Sequence, residues 1–117
     1  VLLVAPAFAW AEVGSVLRKK VRANLFTAGA ADIIWQIFST LPIQYTESLE
    51  LSNRAWEISQ TYQLPTLYDA AFLACTELAA GSVGAPGEFW TADKVLLNSL
   101  GSAKPAYVRE LGIDPIP

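Results

Sequence analysis

Short apolar runs separated by longer helical stretches predict an α/β fold, a parallel sheet covered by helices. Three observations carry this reading. Val1-Leu-Leu-Val4, Pro42-Ile-Gln-Tyr-Thr46, Glu88-Phe-Trp90 and Ala106-Tyr-Val108 have the length and residue types of strands, and the segments between them have helical periodicity. Those intervening segments are long enough to bring successive strands parallel. The composition, 53% hydrophobic with a mean hydropathy of +0.34, fits central strands buried on both faces. At 117 residues the chain is one domain, able to bury roughly two thirds of its unfolded surface.

Taken in order, Val1 to Val4 forms a buried strand stopped by Pro6, which suits the first turn of a helix. That helix runs to about Arg22, with Phe8, Val13, Val16 and Leu17 near helical spacing and a basic end. Thr27 caps a second helix through Ile33, Ile34, Ile37 and Phe38, which ends before Pro42. After the strand at 42–46, Ser48 or Ser52 opens a helix with Leu51, Ala55, Ile58 and Tyr62 on one face. Thr66 starts a strongly apolar helix to about Ala80, and Gly81 to Gly87 is a turn-rich loop. A strand at 88–90, a helix from Asp93 to Leu100, a strand at 106–108 and a Pro115-Ile-Pro117 tail complete the chain.

Composition removes whole classes of chemistry. With no histidine there is no Ser-His-Asp or Cys-His catalysis, no His-ligated zinc and no imidazole acid–base chemistry. Cys75 is the only cysteine and lies among Ala71, Phe72, Leu73 and Ala74, so a buried structural thiol and a reducing, cytoplasmic setting are expected. A net charge of −3 argues against tight nucleic-acid binding driven by bulk charge, but a metal ion can supply positive charge where a phosphate sits. Val1 to Ala11 lacks a basic leader and is too short to span a bilayer, so no membrane association is expected. The chain has no methionine and opens inside an apolar strand, so it reads as a fragment.

Three carboxylates stand out against apolar surroundings: Glu12, Asp69 and Asp93. An isolated carboxylate in such a place costs several kcal/mol unless it is paired or holds a cation. Asp69 also fits a capping box with Thr66, and Asp93 fits a helix N-cap. Glu12 lies beyond the first turn of its expected helix, and neither Ser15 nor Val16 offers a positive charge. If the three converge, they must share protons or bind a cation. With oxygen ligands alone, Mg²⁺ or Mn²⁺ is the natural occupant, and phosphoryl transfer the natural chemistry. The run Arg18, Lys19, Lys20, Arg22 suits a helix C-terminus, and could also contact a phosphate backbone or an acidic partner. The four tryptophans are expected mostly in the core, with Trp90 beside the acid-bearing turn able to stack on a base.

These residues resemble the PIN-domain family, most closely its VapC-type toxins. Leu3-Val-Ala-Pro-Ala-Phe-Ala-Trp-Ala-Glu12 is similar to the family's second strand and glutamate-bearing helix. Leu64-Pro-Thr-Leu-Tyr-Asp69 is similar to its aspartate-bearing helix start, and Phe89-Trp-Thr-Ala-Asp93 to its strand-to-acid turn. The resemblance implies a PIN-like parallel sheet with helices on both faces and a metal-dependent ribonuclease cleaving single-stranded RNA. Glu12, Asp69 and Asp93 would be catalytic residues and ligands of Mg²⁺ or Mn²⁺, with Thr91 as a hydrogen-bonding neighbour. A homodimer and a cognate antitoxin protein are implied as partners. The family's first strand ends in another aspartate, so residues 1–117 would be a single PIN-like domain lacking its first strand and helix. The competing expectation is a catalytically inactive interaction or dimerisation domain that binds an antitoxin-like peptide through the amphipathic 27–41 and 48–62 helices.

Overall fold

The computed structural model describes residues 2–116; Val1, expected in the first strand, and Pro117, expected in the tail, lie outside the described residues. The fold is mixed α/β, with five helices and four short strands among the described residues. The strands form two two-stranded parallel sheets rather than one continuous sheet. Each sheet is closed within its own compact unit, the first unit ending at Thr46 and the second beginning at Glu47.

The first unit is β1 (Leu3–Pro6), α1 (Ala9–Arg22), α2 (Ala28–Ser39) and β2 (Ile43–Thr46). β1 and β2 pair in parallel, Leu3 beside Ile43 and Pro6 beside Thr46. Pro6 therefore ends a strand instead of opening a helix. The Ala7 N–H donates to the Thr46 carbonyl at 2.9 Å, which carries the ladder past the proline. The helix starts only at Ala9, with Phe8 at its N-cap.

α1 and α2 are joined by a tight reversal. Asn24 takes a left-handed φ of 58°, which asparagine tolerates better than most residues, and the Leu25 N–H closes back onto the Lys20 carbonyl at 2.9 Å. Thr27 caps α2 as expected: its Oγ1 accepts from the Ala30 N–H at 3.0 Å, a contact worth about 1 kcal/mol. Gly14 sits where the helices meet. A Cβ there would stand 3.2 Å from the Trp35 ring, so the missing side chain is what lets the indole lie against α1. α2 buries none of its residues, and Ile33 and Ile37 are 60% and 61% exposed.

The second unit is α3 (Leu49–Thr61), α4 (Tyr68–Val83), β3 (Phe89–Thr91), α5 (Lys94–Leu100), a 3-10 turn at Gly101–Ala103, and β4 (Val108–Glu110). Ser48 caps α3 by accepting the Leu51 N–H at 3.0 Å. Leu51, Ala55 and Ile58 form the inward stripe of α3, and α3 packs on α4. α4 meets it with Ala70, Leu73, Ala74 and Cys75, all buried. Burying leucine or isoleucine stabilises by about 1.5–3 kcal/mol each, so this helix pair anchors the unit. β3 and β4 pair in parallel with Phe89 beside Val108, which places the last strand two residues later than the sequence suggests.

Two further boundaries differ. α4 continues through Gly81 to Val83, because one helical glycine costs only about 1 kcal/mol, and it stops at Gly84 with a left-handed φ of 68°. Three of the four tryptophans are not core: Trp10, Trp35 and Trp56 are exposed, and Trp90 is half-buried. Trp56 follows Ala55 directly, which turns it about a quarter circle away from the buried stripe of α3. No helix among the described residues is long and apolar enough to cross a membrane.

Candidate functional site

The second unit brings two of the three expected acids into mutual influence. Asp93 follows β3 at the C-terminal edge of the parallel pair, where such sheets present ligand-binding residues. It is the N-cap of α5: Oδ1 accepts the Val95 N–H at 2.9 Å and the Leu96 N–H at 3.1 Å. The cap uses one oxygen, and Oδ2 takes no part in it. Thr91, buried at the end of β3, accepts the Asp93 N–H through Oγ1 at 3.0 Å. The acid is thus held from both sides.

Asp69 is the second residue of α4, in its first turn. The capping box with Thr66 does not form. The helix is entered through Leu67, whose carbonyl accepts the Ala71 N–H at 2.8 Å and which offers no side-chain cap. Asp69 keeps only the favourable helix dipole. One turn on, Phe72 meets Phe89 of β3 with ring centroids 6.2 Å apart, and this contact sets the start of α4 against the strand leading to Asp93. Burial raises the pKa of the Asp69 carboxyl, and the negative charge of Asp93 raises it further.

Glu12 stands in the first unit. Because α1 begins at Ala9, Glu12 falls inside the first helical turn, not beyond it, so the dipole favours its charge. Its Oε1 is withdrawn from solvent. Among the described residues no group of three or more histidine, cysteine or acidic side chains is placed to hold a metal ion. In the second unit the Asp93 charge acts on the Asp69 carboxyl. Lys94, next to Asp93, is ion-paired with Glu110, and Arg18 lies on α1 in the first unit.

Two features escape a residue-by-residue reading. Arg54 of α3 donates from Nε to Glu77 Oε1 of α4 at 2.8 Å, and the Tyr107 hydroxyl donates to Glu77 Oε2 at 2.7 Å. This network ties both helices to the segment before β4. Burial and the Glu77 carboxylate push the Tyr107 pKa well above the ordinary phenol range. The second feature is a groove between α1 and α2, whose signal is a four-residue repeat, Trp10, Gly14, Arg18 and Arg22. Cys75 is a buried free thiol whose pKa burial raises, as its sequence neighbours suggest. No protein-family model matches the chain, and no curated protein matches it.

Proposed function

We propose that the chain is a PIN-like, metal-dependent endoribonuclease acting on single-stranded RNA, with Asp69 and Asp93 as its metal-binding carboxylates. The observation that carries this reading is the Asp69–Asp93 pair: burial, then the neighbouring charge, raises the pKa of Asp69. Such a pair is relieved either by a proton or by a cation. Structural acids more often gain stability from their surroundings, whereas carboxylates held at a cost mark functional sites.

Asp93 is oriented by its own cap and by Thr91, leaving Oδ2 for a cation. Asp69 lies in the first turn of α4, where the helix dipole favours its charge. Asp69 and Asp93 would hold a divalent ion, which would supply Lewis-acid polarisation of a phosphate and lower the pKa of a bound water. Hydrolysis then joins the water oxygen to phosphorus and breaks the bond to the leaving ribose oxygen, which takes up a proton. Thr91 and the α5 amides act as positioning groups and do not touch the reacting atoms. A toxin of a toxin–antitoxin pair, cytoplasmic and homodimeric, is the biological setting this reading carries with it.

One observation favours a second reading, a catalytically inactive domain that dimerises or binds an antitoxin-like peptide. α2 leaves Ile33 and Ile37 largely in solvent, and an apolar helix face of this kind suits a protein partner. Cleavage of single-stranded RNA in Mg²⁺ separates the two. The native chain is expected to cleave, and Asp93→Asn to lose more than about a hundredfold in rate. Equal cleavage by Asp93→Asn, or none by the native chain, rejects the hydrolytic reading.

A further inference from the structure

The groove between α1 and α2 lies wholly in the first unit and has a volume of about 610 Å³, within the range of pockets that hold sizeable ligands. Helix geometry arranges its lining. Trp10, Gly14, Arg18 and Arg22 recur every fourth residue along one flank of α1, and Asp32 and Trp35 face them from α2. Lys19 adds a third cation. Lys20, by contrast, is held over the Phe26 ring at 5.6 Å. The basic run is therefore divided, and three of its four charges line the groove.

Those charges are not consumed internally. Among the described residues none of Arg18, Lys19 and Arg22 forms a salt bridge, and the groove holds one carboxylate, Asp32, against three cations. Beside them Trp10 is 53% exposed and Trp35 is 36% exposed. Gly14 lets the Trp35 indole lie against α1 without filling the groove. Exposed indoles beside unneutralised cations provide what a single-stranded nucleic acid requires: aromatic surfaces for bases and positive charge for phosphates. An acidic amphipathic helix would use the same cations, and its binding is an outcome of the test below.

We propose that this groove binds single-stranded nucleic acid, bases stacking on Trp10 and Trp35 and phosphates held by Arg18, Lys19 and Arg22. The proposal rests on the first unit and does not require the hydrolytic reading of Asp69 and Asp93. Local charge governs it, which reconciles binding with the chain's net charge of −3.

The test is fluorescence anisotropy of the full chain, in EDTA, with labelled oligouridylate and oligothymidylate of about twelve nucleotides. EDTA separates binding from cleavage, so failure here and failure of the hydrolytic reading are read in different assays. Saturable binding is expected, weakened about tenfold or more by Trp10→Ala and largely retained by Trp10→Tyr, which keeps an aromatic face. The double variant Arg18→Ala with Arg22→Ala should make the slope of log affinity on log salt shallower by about 1.4 between about 50 and 200 mM. Lys104→Ala, exposed and outside the groove, should bind like the native chain. Binding of the ribo-polymer alone assigns the ligand to RNA, and binding of both assigns it to single strands in general. No saturable binding, or affinity and salt slope unchanged in the groove variants, overturns the proposal. So does polyglutamate binding as tightly as oligouridylate with the same dependence on Trp10.

Discussion

Desolvation raises the pKa of the half-buried Asp69 carboxyl, and the negative charge of Asp93 raises it further. These acids sit on different elements, one at the start of α4 and one after β3. Nothing local brings them near; α4 packs on β3, where Phe72 meets Phe89 with ring centroids 6.2 Å apart. The pair is held at a cost, and that cost is measurable without any ligand.

Asp69→Asn is expected to stabilise the chain near neutral pH. The folded-state pKa of Asp69 lies above its ordinary value of 3.8. Its contribution to stability is thus fully present below that value and is lost as pH rises through the folded pKa. The variant cannot suffer this loss. Thermal melts should give coincident midpoints in acid and a higher midpoint for the variant at neutrality. Parallel curves with no divergence would count against the desolvated, charge-coupled carboxyl.

Asp93 combines a structural and a chemical role, and substitution can separate them. Asp93→Ala removes the acceptor of two helix amides and should cost about 1 kcal/mol. Asp93→Asn keeps a capping oxygen and should cost only a few tenths, because asparagine caps as well as aspartate. Urea denaturation measures both. Equal losses would mean that charge, and not the cap, is what Asp93 supplies to folding.

Tyr107→Phe should destabilise by about 1 kcal/mol, since the partly exposed Glu77 keeps Arg54 and loses one charge-assisted bond. The native phenol titrates above its ordinary value of 10.0, so its stabilisation is intact below that pH and is lost as pH rises through the folded pKa. The difference between native and variant should therefore shrink in strong alkali. A constant difference would argue against the hydroxyl as its source.

Gly87 lies where the loop after α4 returns across that helix. A Cβ there would stand 3.0 Å from the Thr76 carbonyl oxygen and 3.1 Å from the Thr76 methyl group. Backbone cannot yield as a flexible side chain can, so Gly87→Ala should cost about 1–3 kcal/mol. Gly29→Ala, with nothing within 4 Å, serves as the control and should be neutral or slightly stabilising in α2. Chemical denaturation of the two variants gives the comparison.

What was legible in the sequence was local. Thr27, Ser48 and Asp93 announce their helices because a capping side chain acts within three residues of itself. Pro6 misleads because its restraint on φ suits a helix start and a strand end equally, and the Thr46 carbonyl decides between them across 39 intervening residues. That choice moves the start of α1 and places Glu12 within reach of the dipole. Likewise Thr66 and Asp69 have capping-box spacing, but the chain enters α4 one residue later, through Leu67. The α1–α2 groove is hidden for another reason. Trp10 and Trp35 look like core by residue type, yet both are exposed, with Trp35 lying against Gly14.

Calorimetric titration of the chain with Mn²⁺ reads the proposed metal site directly. The native chain should show saturable binding whose affinity rises with pH, since a proton competes with the cation for a carboxyl whose pKa is raised. Asp69→Asn and Asp93→Asn should each abolish it or weaken it by more than about tenfold. No saturable heat from the native chain, or equal affinity in both variants, would contradict a metal site built on Asp69 and Asp93.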